Sequence, residues 1–186
     1  MTSCRRVKLV MSCFPMVDFI FVAGAPGSGK STVSALLKQR LNARVVFDFG
    51  ILREPHLNPD WLDASDVEEQ MAFENLLFVL RNYHQHGYKN VLVADLRDFR
   101  VQEIPLHFEK YSFIIVSLVL NDDAELERRV LDPQRNSGFR DVAKALEWNE
   151  KLKERPLVEH EFRFDNSSRD PGRVVGEIIE FLKGME

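Results

Sequence analysis

The residue types best suited to chemistry stand in one uninterrupted run. Gly24-Ala25-Pro26-Gly27-Ser28-Gly29-Lys30-Ser31-Thr32 fits the pattern G-x-x-x-x-G-K-[ST]. Glycines let successive backbone N–H groups approach an anion without side-chain obstruction. A helix beginning directly downstream adds the partial positive charge of its N-terminus. In such a cradle Lys30 reaches the β and γ phosphates of a nucleoside triphosphate, and the Ser31 hydroxyl ligates magnesium. The run predicts ATP or a related triphosphate, with Mg2+, held by Gly24 to Thr32. A ligand-free turn joining strand to helix is the bland alternative.

The flanking elements argue for the cradle. Residues 18–23 (Asp-Phe-Ile-Phe-Val-Ala) form a continuous apolar run of the kind buried in a parallel sheet, and a helix is expected from Lys30 to about Leu41. Residues 44–49 read as a second strand, followed by a Pro-rich loop from Pro55 to Pro59. A long helix over 65–86 opens with Ser65 and Glu68 in capping-box spacing and closes before Gly87. Strands follow at 89–95 and 111–120, the former ending on Asp95. Residues 99–110 stay open, because Pro105 sits where a helix would continue. A helix at 122–131, a polar Pro- and Gly-bearing loop at 132–140, a helix at 141–154, a strand at 161–164 and a closing helix at 171–183 complete the pattern. Strands alternating with helices require crossover connections, which gives an α/β fold with a parallel sheet covered on both faces.

Composition bounds the partners. The 186 residues suit one domain, with 45% hydrophobic and 29% charged side chains. A net charge of −4 supplies no global field for nucleic acid or anionic membrane, leaving nucleic acid only a local groove. No stretch reaches the roughly 18 apolar residues of a membrane span. Cys4 and Cys13 lack metal-type spacing and are too few for a disulfide framework, which fits a reducing cytoplasm. Residues 1–16 read as a disordered extension ahead of a single domain at 17–186, since a signal cleavage site would fall inside the phosphate loop. Oligomeric state leaves no trace in the sequence.

With these elements placed, the chain resembles the P-loop small-molecule kinases, which include adenylate, shikimate and gluconate kinases and the polynucleotide 5′-kinases. The resemblance covers residues 18–183. It implies a three-layer α/β/α fold with a five-stranded parallel sheet and a short lid. The segment Phe47-Asp48-Phe49-Gly50-Ile51-Leu52-Arg53 is similar to the end of strand two in the nucleoside monophosphate kinases. There a Thr-Gly-Asp-x-Leu-Arg run offers an arginine to the acceptor; Leu52-Arg53 matches, while Asp48 and Gly50 depart. An aspartate at that strand end resembles the hydroxyl-phosphorylating members and implies Asp48 as general base, with Arg53 as acceptor clamp. Asp48 capping a turn and Arg53 lying in solvent is the alternative.

In Leu92-Val93-Ala94-Asp95-Leu96-Arg97-Asp98, Asp95 takes a Walker-B-like position at the carboxyl end of a buried strand, where open α/β sheets bind ligands. The resemblance implies that Asp95 joins Ser31 in holding magnesium, and that Arg97 contacts an acceptor anion unless it pairs with Asp98. The Asp-Gly-Phe-Pro-Arg of the monophosphate kinases is absent here. After strand four, Leu126-Glu127-Arg128-Arg129-Val130 with Arg135 and Arg140 is similar to the lid entry of these kinases. It implies that Arg128 or Arg135 clamps transferring phosphate, where charge stabilisation carries most of the catalysis; a solvated helix face is the alternative. Asp165-Asn166-Ser167-Ser168 resembles the loop that packs on the adenine ring, or is simply a turn.

Other residues read as structural. His84 and His86 complement a helix end, and Phe73, Phe78 and Tyr83 read as core, while Trp61 and His56 fall near the acceptor loop. Two functional classes remain. One is an ATP-dependent kinase acting on a small-molecule hydroxyl or phosphate, with a nucleoside monophosphate or polynucleotide 5′ end as variants. The other is a nucleotide-binding regulator with no acceptor. A guanine-reading Asn-Lys-x-Asp sequence is missing, which argues against a GTP switch.

Overall fold

The computed structural model describes residues 16–54, 65–135, 137–167 and 170–185. The expected extension up to residue 15, His56 and Trp61, and Ser168 lie outside the described residues.

Five strands run parallel in the order β2-β3-β1-β4-β5. They are β1 (Phe19–Gly24), β2 (Val46–Asp48), β3 (Val91–Leu96), β4 (Phe113–Val119) and β5 (Glu161–Asp165). The helices are α1 (Lys30–Arg40), α2 (Gly50–Arg53), α3 (Asp66–Gln85), α4 (Asp98–Phe108), α5 (Asp123–Leu131), α6 (Val142–Glu154) and α7 (Pro171–Lys183). The three-layer α/β/α architecture expected from the alternation is the one observed.

The period of two along each central strand divides the core into two faces. Phe19, Phe21, Val91, Val93, Phe113 and Ile115 point to the layer of α3 and α4, where Phe73, Leu76, Leu80, Val101, Ile104 and Phe108 meet them. Ile20, Val22, Leu92, Ile114, Val116 and Leu118 point the other way, against Val33 and Leu37 of α1 and Val174, Ile178 and Leu182 of α7. Because both faces are covered, these strands read as unbroken apolar runs. A smaller cluster of Leu120, Leu126, Val130 and Ala145 joins α5 to α6.

The segment 99–110, left open by the sequence, is mostly helical: α4 spans Asp98–Phe108 with Pro105 inside it. The missing N–H forfeits one helical bond, and burial of Val101, Ile104 and Phe108 offsets it. Phe78 departs from the core expected of it and is 73% exposed. His84, in the last turn of α3 as expected, also has its Nδ1 3.0 Å from Oδ1 of Asp18, the residue before β1.

The direction in which crossovers move along the sheet reverses between β1, which leads toward β2, and β3, which leads past β1 to β4. The crevice at such a switch point is where open α/β sheets take ligands, and the Gly24-to-Thr32 run leaves β1 there. β3 contains an irregularity at the same edge. Val22 pairs with Ala94 and Ala23 with Leu96, so Asp95 is the extra residue of a bulge, with a left-handed φ of 65°. Bulges re-aim side chains beside active sites, and aspartate is among the few non-glycine residues that enter this region readily.

The facing of α3 gives a paired prediction. Leu76→Ala, at a fully buried position, should lower unfolding free energy in urea by about 2–5 kcal/mol. Phe78→Ala should change it by less than about 0.5 kcal/mol.

Candidate active site

The phosphate loop is shaped by crowding as well as by charge. Gly27 and Gly29 adopt φ values of 89° and 93°, in the left-handed region that glycine enters without a Cβ penalty. A Cβ on Gly27 would lie 3.0 Å from both Leu126 Cδ1 and Val130 Cγ2 of α5, and one on Gly29 would lie 2.5 Å from Asn166 Nδ2. The loop is therefore packed from behind by α5 and by the segment after β5. The first bond of the α1 ladder runs from Val33 N–H to the Gly29 carbonyl at 2.9 Å. The N–H groups of Lys30, Ser31 and Thr32 consequently lack intrahelical acceptors and remain available to an anion. Lys30 Nζ donates to the carbonyls of Gly24 (2.9 Å) and Ala25 (3.2 Å), folded back over the loop it would serve. Burial and the Arg135 charge lower the Lys30 pKa, against the opposing pull of Asp95 and Asp48.

Two carboxylates meet across Gly50. A Cβ there would stand 3.0 Å from Asp48 Oδ1 and 3.1 Å from Asp95 Oδ2. Asp48 Oδ1 accepts the Gly50 N–H at 2.8 Å, so the turn into α2 fixes its direction. Burial, then the neighbouring Asp95 charge, pushes the Asp48 pKa up from its ordinary 3.8, while the Gly50 N–H, Lys30 and Arg53 oppose the rise. Asp95, aimed by the β3 bulge, lies 3.6 Å from Lys30 Nζ and 3.3 Å from Arg53 Nη2. The sequence placed Asp95 at the strand's end; the strand instead continues to Leu96 around it. Beside this group, Ser31, Ser34, Ala35, Lys38, Val46, Asp48 and Ala94 line a cavity of about 240 Å³.

The arginines divide by what already holds them. Arg53 lies between Asp95 and Glu69, whose Oε2 is 3.8 Å from Arg53 Nη1. Glu69 is 5% exposed on α3 and is flanked from its other side by Arg100 at 3.9 Å. Arg97 is exposed and caps α4 with its backbone alone. The surface pairing with Asp98 is replaced by a long-range one, because Arg155 takes that carboxylate at 2.8 Å. Arg128 is bidentate to Glu125 at 2.7 Å, with its own side chain 51% exposed. Hydrogen bonding from Arg128, with Arg129 assisting, holds Glu125 down to about 2, so it grips both arginines throughout the neutral range. Arg129 points inward, with Nη1 3.8 Å from where a Gly29 Cβ would sit. Arg135 donates to the carbonyls of Val130 (3.2 Å) and Phe139 (3.4 Å) at the base of the 132–140 loop, close enough for its charge to act on Lys30. Arg140 donates to Phe139 O at 2.9 Å, farther along that loop.

The structure thus brings Lys30, Ser31, Asp48, Arg53, Asp95 and Arg135 to one crevice, whereas Arg97 and Arg128 are exposed. Sequence reasoning missed Glu69 and the side chain of Asn166, and gave Arg129 less weight than its inward position warrants. No local pattern marks the first two, since their partners are distant in sequence.

The oxygen donors suit magnesium. Mg2+ keeps several waters and takes one or two carboxylates plus substrate phosphates rather than an all-protein cage. Asp95 and Asp48 converge on one point, Ser31 lines the adjoining cavity, and no cluster of three or more metal-ligating side chains exists among the described residues. Such a sparse set fits a cation shared with phosphate. Ser31 and Asp95 would hold it, with Asp48 alongside.

Comparison with known proteins agrees with this architecture. A sugar kinase from Janibacter sp. HTCC2649 superposes with a TM-score of 0.66 at 14% identity, covering 89% of this chain and 94% of that one. A gluconokinase from Sinorhizobium meliloti 1021 gives 0.63 at 17% identity, over 89% and 91%. Shikimate kinase from Aquifex aeolicus gives 0.58 at 22% identity, over 90% and 97%. No curated protein matches the sequence. Among the described residues no helix is long and apolar enough to cross a membrane. The AAA domain model matches residues 20–148, from β1 and its phosphate loop through β4 and α5 into α6, and the chain belongs to this AAA-domain family of P-loop proteins.

Proposed function

We propose that this protein is an ATP-dependent phosphotransferase that moves the γ-phosphoryl group of ATP·Mg to a small-molecule acceptor, with a hydroxyl favoured over a phosphate. The observation that carries the reading is the meeting of Asp48 and Asp95 at Gly50, within reach of Lys30 and Arg53. A phosphate cradle alone serves a switch as well as a kinase. A second, half-buried carboxylate whose pKa is raised is the added part that a transfer to a hydroxyl needs.

In this reading Gly24 to Thr32 hold the triphosphate, and Lys30 leaves its loop carbonyls for the β and γ phosphates. Magnesium held by Ser31 and Asp95 would supply charge neutralisation for the phosphates. Asp48 accepts the acceptor's hydroxyl proton while that oxygen bonds to the γ-phosphorus and ADP departs with the bridging oxygen. Lys30 and Arg135 stabilise the charge spread over the transferring group, Arg128 reaching in only if it releases Glu125. Arg53 and the exposed Arg97 orient the acceptor. A phosphate acceptor is less favoured because Arg53 is already engaged by Asp95 and Glu69.

ADP release from ATP·Mg, measured across sugars, small alcohols, nucleosides and nucleoside monophosphates, tests the proposal. Stimulation by one acceptor class is expected; strong ATP·Mg binding with no stimulated release would instead support a regulatory role.

Asp48→Asn should lower turnover by about 10²- to 10⁴-fold while ATP·Mg affinity, read by calorimetry, stays within about threefold. It should not weaken the fold, since it removes a charge that burial and Asp95 disfavour. The pH dependence follows from the sign of that shift. A raised pKa keeps Asp48 protonated above its ordinary 3.8, and the base works only when ionised. In protein kept free of magnesium and nucleotide, the Asp48 carboxyl, followed by NMR, should therefore titrate above 3.8; a midpoint at or below that value would remove the raised carboxyl from the account.

A further inference from the structure

Asn166 follows β5 and is 2% exposed, yet it is neither a surface turn residue nor placed to present its amide to solvent. Its backbone N–H is tied to the Val119 carbonyl at the end of β4 (2.8 Å), and its side-chain Nδ2 donates to the Ser28 carbonyl at 2.7 Å. Only the NH2 end of an amide can donate to a carbonyl, so this contact fixes which way the amide faces. The bond spans 138 residues of sequence and reaches the Ser28–Gly29 peptide, one peptide short of Lys30.

The geometry of that peptide gives the bond a consequence. No cis bond occurs among the described residues, and in a trans peptide the C=O and the following N–H point in opposite directions. Drawing the Ser28 oxygen out toward Asn166 therefore turns the Gly29 N–H the other way, away from Asn166. The left-handed φ of 93° at Gly29 and the 2.5 Å approach of Asn166 Nδ2 to its absent Cβ belong to the same arrangement. The Ser28–Gly29 peptide is flanked by glycine, so without this anchor it could rotate and present a carbonyl to an incoming anion.

We infer that Asn166 is a positioning residue for nucleotide phosphates: it touches no phosphate itself, but it sets the Ser28–Gly29 peptide so that the Gly29 N–H faces them. The role differs from packing on the base, because it acts on the polyphosphate end of the ligand. It rests on the proposed binding of a triphosphate in this loop.

Asn166→Ala and Asn166→Leu, the second keeping most of the buried volume, should be titrated calorimetrically with ATP·Mg and with inorganic tripolyphosphate·Mg below their melting temperatures. Both variants should lose about tenfold in affinity for both ligands, the scale of one neutral hydrogen bond. Melting temperature should fall more for Ala than for Leu, so that stability and affinity part company. Loss for ATP with tripolyphosphate unchanged would assign Asn166 to the base and overturn the inference. Unchanged affinities alongside a lower melting temperature would overturn it as well, leaving a purely structural role. Wild-type protein that binds neither ligand would remove the triphosphate reading itself, and the inference with it.

Discussion

Two like charges held within one small volume are the constraint on which the rest of this crevice depends. Asp48 and Asp95 stand about 3 Å from a common point at Gly50, where burial and the neighbouring Asp95 charge disfavour ionisation of Asp48. Lys30 and Arg53 offset part of that cost. Each participant arrives from a different element: Asp48 from the end of β2, Asp95 from the bulge of β3, Lys30 from the start of α1, Arg53 from α2. The parallel sheet makes the convergence possible, because the carboxyl ends of its strands share one edge. The bulge then supplies what the regular pleat would not, a side chain re-aimed along that edge. A cation placed among these groups would relieve the repulsion, which links the electrostatics of the crevice to its proposed chemistry.

The phosphate loop depends on a second constraint, close packing behind a thin backbone. α5 presses on Gly27 through Leu126 and Val130, and Asn166 presses on Gly29. α5 also carries Arg128 and Arg129 on Glu125, and its last turn leads into the loop that bears Arg135. The element that supports the cradle thus also presents the cations beside it. Movement of the 132–140 loop would be felt at Gly27 through Val130, a coupling by direct contact rather than by distance.

How far the sequence revealed this follows from how local each part is. The phosphate loop was legible because backbone anion binding demands contiguous residue types. The parallel sheet and its covered faces were legible in the unbroken apolar runs of β1, β3 and β4, but the order of the strands was not. Asp48 and Asp95 could be named from their places at strand ends, but not the bulge, since a left-handed aspartate has no pattern of its own. Glu69 and the Asn166 side chain were silent because Arg53, Arg100 and Ser28 lie far from them along the chain. Phe78 misled for a geometric reason: five residues from Phe73, it is rotated about 140° away around the helix, whereas Leu76, Leu77 and Leu80 keep to the buried side. Pro105 misled because propensity yields to burial.

The most direct test of the carboxylate pair is the Gly50→Ala protein. Gly50 is helical, outside the left-handed region, at the first position of α2, so alanine meets no backbone strain there and any change in melting temperature reports how far the two carboxylates must give. Its methyl group would stand 3.0 and 3.1 Å from the two carboxylate oxygens and should force them apart. ADP release from ATP·Mg in the presence of a responsive acceptor should then fall by about tenfold or more, a loss of about 1.4 kcal/mol or more in transition-state stabilisation. Undiminished release from a folded Gly50→Ala protein would contradict the account.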